Sequence, residues 1–220
     1  MTANRKPEEP PSTSSASSRP PVRRSQETRT REARERILAA TLDVLNRCGY
    51  GGLTTKEVAN SAGVSNGALM HHFNSKAELV SAATEAIYEA ALERSRVVLG
   101  GPEVKRAPLD AFIAECIGIY FDWPFIAALE LIVAARTDPD LMTRIRPIME
   151  HYRETTNARW LAVFRAAGLS ATQASRVLAM TLNLVRGMAV NRLWNIGPED
   201  HSQQLREWKR ILHAQIKVKI

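Results

Sequence analysis

The chain has little of what a disulfide-stabilised protein or a zinc protein requires. Its two cysteines, Cys48 and Cys116, are far apart in the sequence and belong to no CxxC or Cys/His cluster. Two isolated cysteines provide neither a disulfide framework nor a zinc site. We therefore expect buried, reduced thiols in a cytoplasmic protein that binds no metal and no cofactor.

Long uninterrupted hydrophobic runs are also missing. The most apolar window, residues 111–135, contains Glu115, Asp122 and Glu130, and Pro124 breaks it. An acidic side chain at the centre of a bilayer costs about 2.5 kcal/mol or more. The window therefore predicts two buried helices of a soluble domain. The N-terminus is basic and lacks the apolar core of a secretory signal, so we expect no membrane contact.

The motifs of common enzyme classes are absent from the sequence. It contains no nucleophile motif, no HExxH, no paired ExxH sets and no glycine-rich phosphate loop. No run alternates with period two, and no repeat of 20–50 residues is visible. These absences predict an all-helical protein that is not an enzyme, although turnover of a small molecule would revive a helical enzyme as an alternative.

Acidic residues are outnumbered by basic ones, 23 to 30, which gives a formal net charge of +7. Such a balance favours a polyanionic partner, with nucleic acid as the first choice. Residues 1–28 are rich in Pro, Ser and charge and poor in apolar groups, which predicts a disordered tail. Arg23, Arg24, Arg29 and Arg31 make its end basic. That end is either a solvated tail or an arm that contacts phosphates or the minor groove.

Capping signals predict two short helices in succession. Thr54 begins a capping-box pattern, which predicts a helix over about residues 55–62. Gly63 can adopt the left-handed conformation that ends this helix. Ser65 then caps a second helix over about residues 66–73.

Longer helices flank this pair. Apolar spacing predicts one from Thr30 to the CGYGG sequence at residues 48–52. Ser75 and Glu78 form a second capping-box pattern, which opens a helix that reaches about Leu99. Two short helices joined by a glycine turn and preceded by a longer helix form a helix-turn-helix, whose second short helix enters the major groove.

The remaining chain predicts further helices, most of them opened by a proline or a capping residue. Pro147, inside one of them, should kink or split it. The segments lie near residues 108–121, 124–136, 139–167, 170–195 and 198–217.

The stretch RERILAATLDVLNRCGYGGLTTKEVANSAGVSNGALMHHFNSKAELVSAA resembles, without gaps, the DNA-binding domain of the tetracycline-repressor (TetR) family. The resemblance implies an all-α regulator: a helix-turn-helix domain at 29–75, and a helical bundle at 76–220 for ligand binding and homodimerisation. It implies a repressor that a small molecule releases from a palindromic double-stranded DNA operator. An activator needs the same helix-turn-helix and stays open, as does a nonspecific nucleoid-type DNA binder.

Carried over position by position, the resemblance implies two kinds of DNA contact. Thr55 and Lys76 match phosphate contacts, whereas Lys56, Ser65, Asn66, Gly67 and His71 match positions that approach bases. Met70 stands where family members usually have tyrosine, so contact with a thymine methyl group becomes its expected role. Adjacent helical residues point about 100° apart, so we expect His71 on DNA and His72 against a neighbouring helix. The candidate residues are Thr54, Thr55, Lys56, Ser65, Asn66, Gly67, Met70, His71 and Lys76.

Candidate effector contacts are bulky or polar residues on otherwise apolar faces of the C-terminal half, where core packing is the alternative for each. We expect a mostly apolar small molecule. Glu115, Glu130, Arg136 and Arg186 are candidate buried ions, paired as Glu–Arg pairs within the core; an acid left unpaired would instead imply a cationic ligand. The candidates are Tyr120, Phe121, Trp123, Phe125, Glu130, Trp160, Phe164, Asn183 and Met188.

The last two long helices carry more apolar surface than one face needs. In the sequence ASRVLAMTLNLVRGMAVNRLW, apolar residues recur at Val177, Met180, Leu184, Met188 and Leu193. The final helix has an apolar stripe of its own, at Leu205, Trp208, Ile211, Leu212 and Ile216. These helices either form a four-helix dimer interface or pack only within the monomer. The family resemblance favours the dimer.

Overall fold

The computed structural model describes residues 26–121, 123–194 and 198–215 of the 220-residue chain. The described part is all-helical, as predicted. A short 3-10 helix at Arg192–Trp194 follows the ninth helix. The helices are α1 (Gln26–Gly52), α2 (Thr55–Ala62), α3 (Asn66–His72), α4 (Lys76–Leu99), α5 (Pro102–Arg106), α6 (Pro108–Tyr120), α7 (Trp123–Ala135), α8 (Pro139–Ala166), α9 (Ala171–Asn191) and α10 (Pro198–Gln215).

The first helix begins at Gln26, ahead of the predicted start at Thr30, and most of the predicted tail lies outside the described residues. Its buried face consists of the residues that the helical spacing selected, among them Ile37, Val44 and Leu45. Gly49, at φ 66° and ψ 178°, interrupts the helix inside the CGYGG sequence that was predicted to stop it. A side chain at this φ is strained, so glycine suits the position.

Hydroxyl caps start the next three helices as the sequence predicts. Thr54, Ser65 and Ser75 each accept a hydrogen bond from a backbone N–H three residues later, at 3.1–3.2 Å. Gly63 ends α2 in the left-handed conformation, at φ 66° and ψ 36°. The Glu57 carboxylate accepts a bond from Arg47 at 2.6 Å, which ties α2 to α1.

Two hydrophobic cores organise the molecule. The first joins the helix-turn-helix to α4, α7 and the start of α8, with Leu69, Phe73, Leu131 and Leu141 among its buried members. The second is built from α5, α6, α8, α9 and α10 around Phe112, Trp160 and Phe164. Because α7 and α8 enter the first core, the helix-turn-helix is packed directly on the bundle.

Three sequence expectations need correction. The short helix α5 was not predicted, because a single turn with proline at its start has too few residues to show a periodicity. Of the two outcomes predicted for Pro147, a kink or a split, the split does not occur, because α8 continues as one helix to Ala166. Its packing along α4 offsets the lost backbone bond. Cys116 is buried as expected, and burial raises the pKa of its thiol, but Cys48 is exposed.

Within the described ranges, none of the helices taken singly has both the length and the hydropathy of a membrane span. The pair α6 and α7 meets that test only when taken together across a 65° bend.

Candidate nucleic-acid interface and cavity

The second short helix of the motif, α3, divides into a buried and an exposed side. Leu69 is fully buried in the first core together with Phe73, the residue that caps the helix. The ring of Phe73 also lies under the Arg34 guanidinium, 4.7 Å away, so α1 holds the end of α3. The exposed side contains the predicted base-reading residues Ser65, Asn66, Gly67, Met70 and His71.

The adjacent histidines separate as the helical geometry predicts. His71 is exposed, whereas His72 is half-buried with its ring centre 6.4 Å from that of Phe73. Gly67 has only the Ser65 hydroxyl within 4 Å of a hypothetical Cβ, at 3.9 Å. The backbone there is therefore open to close approach by another molecule.

The N-terminus of α2, a helix that packs against α3, carries three further DNA-contact candidates. Thr54 and Lys56 are exposed and Thr55 is half-buried. The Thr54 hydroxyl caps the helix, and free N–H groups of a first helical turn favour an anion. These residues can therefore position a phosphate without reading the sequence.

The last DNA-contact candidate, Lys76, is engaged inside the protein. Its ammonium donates a hydrogen bond to the backbone carbonyl of Tyr50 at 2.6 Å and lies 4.2 Å from the centre of that ring. Partial burial lowers the pKa of Lys76. An ammonium has three N–H donors, so this contact leaves donors for a phosphate.

The sequence did not single out Tyr50, which connects three elements. Its N–H donates to Glu130 of α7 at 3.4 Å, and its hydroxyl donates to Asp138, the cap of α8, at 3.3 Å. Lys76 at the start of α4 binds its carbonyl. We call Tyr50, Lys76, Glu130 and Asp138 the polar joint.

A cavity of about 680 Å³ lies between α4, α6, α7, α8 and α9. Tyr120, Phe125 and Trp160 line it, as proposed from the sequence. Five other candidates lie away from its wall. Glu130 faces Gly49 in the polar joint, Asn183 is exposed, and Phe121, Phe164 and Met188 pack elsewhere. The side chain of Trp123 lies outside the described residues.

Several polar groups on the cavity wall were not predicted as effector contacts. The Trp160 indole N–H donates to Oε2 of Glu115 at 2.6 Å, and burial raises the pKa of that carboxyl. Tyr88 and Tyr152 lie with ring centres 4.7 Å apart, and burial raises the pKa of Tyr88 to about 12. Their phenols are therefore neutral hydrogen-bonding groups. Tyr152 and Trp160 lie eight residues apart on α8, about two helical turns and so on the same face, and this spacing is the signal that could have found Tyr152.

The helix-turn-helix has counterparts among known proteins. Residues 37–83 match the model of the family described as bacterial regulatory proteins, tetR family. Over 174 residues the chain is 38% identical to the HTH-type transcriptional regulator CymR of Pseudomonas putida, covering 79% of this chain and 86% of that protein. The chain belongs to the TetR family.

Solved structures of TetR-type proteins share the fold. A putative TetR-family regulator from Rhodococcus sp. superposes with a TM-score of 0.62 at 22% identity, covering 82% of this chain and 98% of that one. A putative transcriptional regulator from Pseudomonas aeruginosa PAO1 gives the same TM-score and identity, covering 86% and 97%. At this identity the likeness shows the fold alone.

Membership of the TetR family settles the class of function. The protein is a helix-turn-helix transcriptional regulator of a family whose members are typically ligand-responsive repressors, and it is not an enzyme. TetR-family regulators bind operator DNA, act as dimers and bind small-molecule effectors. The nucleoid-type binder and the helical enzyme are thereby set aside.

In this TetR-family chain, α7 touches both the cavity and the DNA-binding part. Phe125, Ala128 and Ile132 line the cavity. Ala127, Leu131 and Ala135 enter the first core on another side of the helix. An effector that displaces the first face must therefore displace the second.

Proposed function

We propose that this protein is a homodimeric repressor that leaves a palindromic operator when a small, mostly apolar effector fills the 680 Å³ cavity. The observation that carries the proposal is the double role of α7, which lines the cavity and packs on the DNA-binding part. We divide the chain into a tail at 1–28, a DNA-binding domain at 29–75 and an effector and dimerisation domain at 76–220.

We assign sequence reading to the exposed side of α3 and positioning to the residues around it. Asn66 and His71 can hydrogen-bond base edges, and Met70 offers an apolar contact to a thymine methyl group. Lys56, on α2, is assigned to the residues that contact bases. Thr54, Thr55 and Lys76 contact phosphates and set the register of the protein on the duplex.

We assign the dimer interface to α9, with a smaller share for α10 than the sequence suggested. Met180 and Leu193 are 49% and 58% exposed, and the small residues Ala179 and Gly187 beside them are exposed too. Val177 and Met188, proposed for the interface, are buried within the monomer.

The packing of α10 supports this assignment. Trp208 donates a hydrogen bond to Thr181 of α9 at 3.0 Å, and Leu212 is buried in the second core. The apolar stripe of α10 is therefore largely used inside the monomer. Ile216, the last residue of the predicted stripe, lies outside the described residues.

We attribute release of the operator DNA to the contacts that the polar joint and the first core make with α7. A ligand that pushes on the cavity face of α7 displaces Glu130, and with it the Tyr50 turn that precedes α2. Half-sites lie about one helical turn apart on DNA, so a change in the distance between two recognition helices lowers affinity. This is a coupling free energy between the two sites.

The test is fluorescence-anisotropy binding of the purified protein to the intergenic DNA upstream of its own gene and to a shuffled duplex, at two salt concentrations. A specific regulator binds one dimer per site with a preference of about 10³ or more over shuffled DNA. Equal and strongly salt-dependent binding to both duplexes would contradict the assignment of that intergenic DNA as operator.

A further inference from the structure

A half-buried cation on the cavity wall makes no ion pair with any residue that the structure describes. Arg186 of α9 is half-buried and lines the cavity. Among the described residues, its guanidinium makes no ion pair within 4.0 Å, whereas several surface arginines do. The sequence had left open whether Arg186 is paired inside the core. A half-buried cation without a counter-ion is costly and is stabilised when an anion reaches it.

Tyr120 holds this guanidinium in place. One terminal N–H donates to the Tyr120 hydroxyl at 2.8 Å, and the guanidinium carbon lies 5.0 Å from the centre of the Tyr120 ring. Arginine has five N–H donors. The contact orients the group and leaves the other donors for a planar oxyanion, which arginine binds through two parallel bonds.

The acid on the same wall does not neutralise Arg186. Oε2 of Glu115 accepts the Trp160 indole N–H, and its Oε1 is buried without a hydrogen-bond partner. Burial raises the pKa of Glu115, which favours its neutral form. Among the described residues, Glu115 makes no ion pair with Arg186 within 4.0 Å, so the guanidinium stays available to an anionic group.

Most of the exposed charged residues on the cavity lining are positive, like Arg186. Arg94, Arg146 and Arg153 are exposed lining residues, against a single exposed acid, Glu150. Arg153 has a neighbour of its own, Glu154, at 3.7 Å. Clustered positive charge raises the local concentration of anions and speeds their entry.

The rest of the wall is apolar and aromatic. Phe112, Phe125 and Trp160 contribute rings, and Ile119, Leu129 and Ile132 contribute aliphatic surface. At about 680 Å³ the volume lies in the range of sites that enclose a drug-sized molecule. Such a wall binds the apolar body of a ligand through burial of apolar surface. The few polar groups on the wall then determine the orientation of the ligand.

We infer that the effector is a small organic acid: an apolar, ring-containing body enclosed by the aromatic wall, with an anionic group bound by Arg186. The inference rests on the proposed role of the cavity as the effector site. The sequence led us to expect a mostly apolar effector, and the inference adds that this molecule has one acidic group. Tyr120 then has the role of positioning Arg186.

The experiment is isothermal titration calorimetry of the full chain with 2-naphthoate and 2-naphthamide, two probes of the same shape that differ in charge. We expect the wild type to bind the acid about tenfold or more tightly than the amide. Arg186→Gln should remove that preference, while Arg186→Lys should retain part of it. Arg176→Gln, an exposed arginine on the same helix, should leave it unchanged.

Three results would overturn the inference: equal binding of both probes by the wild type, no binding of either, or a preference for the acid that survives Arg186→Gln. Operator binding without a probe is measured on the same samples. If it is normal while the acid preference is absent, the organic-acid inference fails and the repressor assignment stands. If the wild type does not select operator DNA, the proposed function fails instead. Retained operator binding by Arg186→Gln also shows that the variant is folded.

Discussion

Lys76, the first residue of α4, binds the backbone carbonyl of Tyr50, the residue after the kink in α1, at 2.6 Å. The contact joins the start of α4, which follows the two short helices, to the end of α1, which precedes them. A residue expected to contact only phosphate thus also holds the domain together.

Replacing Lys76 by glutamine should lower the affinity of the protein for operator DNA and for shuffled DNA by about the same factor. The loss of one phosphate contact should reduce the slope of log K against log salt by about 0.9. The measurement is a salt titration by fluorescence anisotropy. Lys105→Gln, which removes an exposed charge on α5, is the matched control. A changed base preference would contradict the phosphate role of Lys76.

Asn66→Ala should relax the preference at one base pair in each half-site. A bidentate contact from asparagine to adenine contributes about 1–3 kcal/mol of discrimination, and the exposed side chain is free to make it. Selection from a randomised operator library, with Gln204→Ala as control, reports the preference. An unchanged base profile would remove Asn66 from the reading set.

Gly49→Ala tests the polar joint. At φ 66° the alanine would be strained, and its Cβ would lie 2.6 Å from Oε2 of Glu130. We expect a destabilisation of about 1–3 kcal/mol and weaker operator binding. Thermal unfolding and anisotropy measure the two effects. Gly118→Ala is the control, because that helical glycine has free space around it and the change should be neutral or stabilising. Equal behaviour of the two variants would mean that the joint does not depend on Gly49.

Glu115→Gln should change how stability depends on pH. Burial raises the pKa of Glu115 in the folded state, so the folded protein binds this proton more tightly than the unfolded chain does. Below the unfolded pKa both states are protonated and the carboxyl carries no penalty. As pH rises through the folded pKa, the wild type loses stability that the neutral glutamine keeps.

The measurement for Glu115→Gln is the free energy of urea unfolding at a series of pH values from acid to neutral. The advantage of the variant should grow with pH and then level off. Glu103→Gln, an exposed acid on α5, should show no such growth. A constant difference at all pH values would mean that Glu115 is not destabilised in its charged form.

Met180→Glu should shift the protein toward monomer. Met180 is 49% exposed on α9, and a carboxylate there would lose its hydration in the proposed interface. Sedimentation velocity over a concentration series measures the shift. Val133→Glu, at a 59% exposed apolar residue of α7, tests whether any exposed apolar position has the same effect. An unchanged dimer in Met180→Glu would place the interface elsewhere.

The helix-turn-helix was predictable because its signals are local. Thr54, Ser65 and Ser75 cap helices through N–H groups three residues away, and the turn at Gly63 depends on one residue's conformation. Apolar spacing in α1 identified its buried residues from Ile37 to Leu45 correctly, but it also selected Cys48, which is exposed. The exposed polar side of α3 was predictable as well, because the residues of a helix that do not lie on its buried side face outward.

The effector cavity was only partly predictable. Phe125 and Phe164 are both bulky apolar residues on helical faces, yet one lines the cavity and the other fills the core beside it. The periodicity of apolar residues separates the buried face of a helix from its exposed face. It does not show whether a buried side chain lines a cavity or packs against another side chain. Glu130 shows the same limit, because its partner Tyr50 is 80 residues away in the chain.

The sequence by itself determined an all-helical regulator with a helix-turn-helix at its N-terminal end, through caps, turns and spacing that act within a few residues. Only the tertiary structure decided which rings surround the cavity, that Arg186 faces it with no ion pair among the described residues, and that Glu130 joins α7 to the turn before α2. These features depend on contacts between helices that are distant in the chain, and such contacts form only when whole faces pack together.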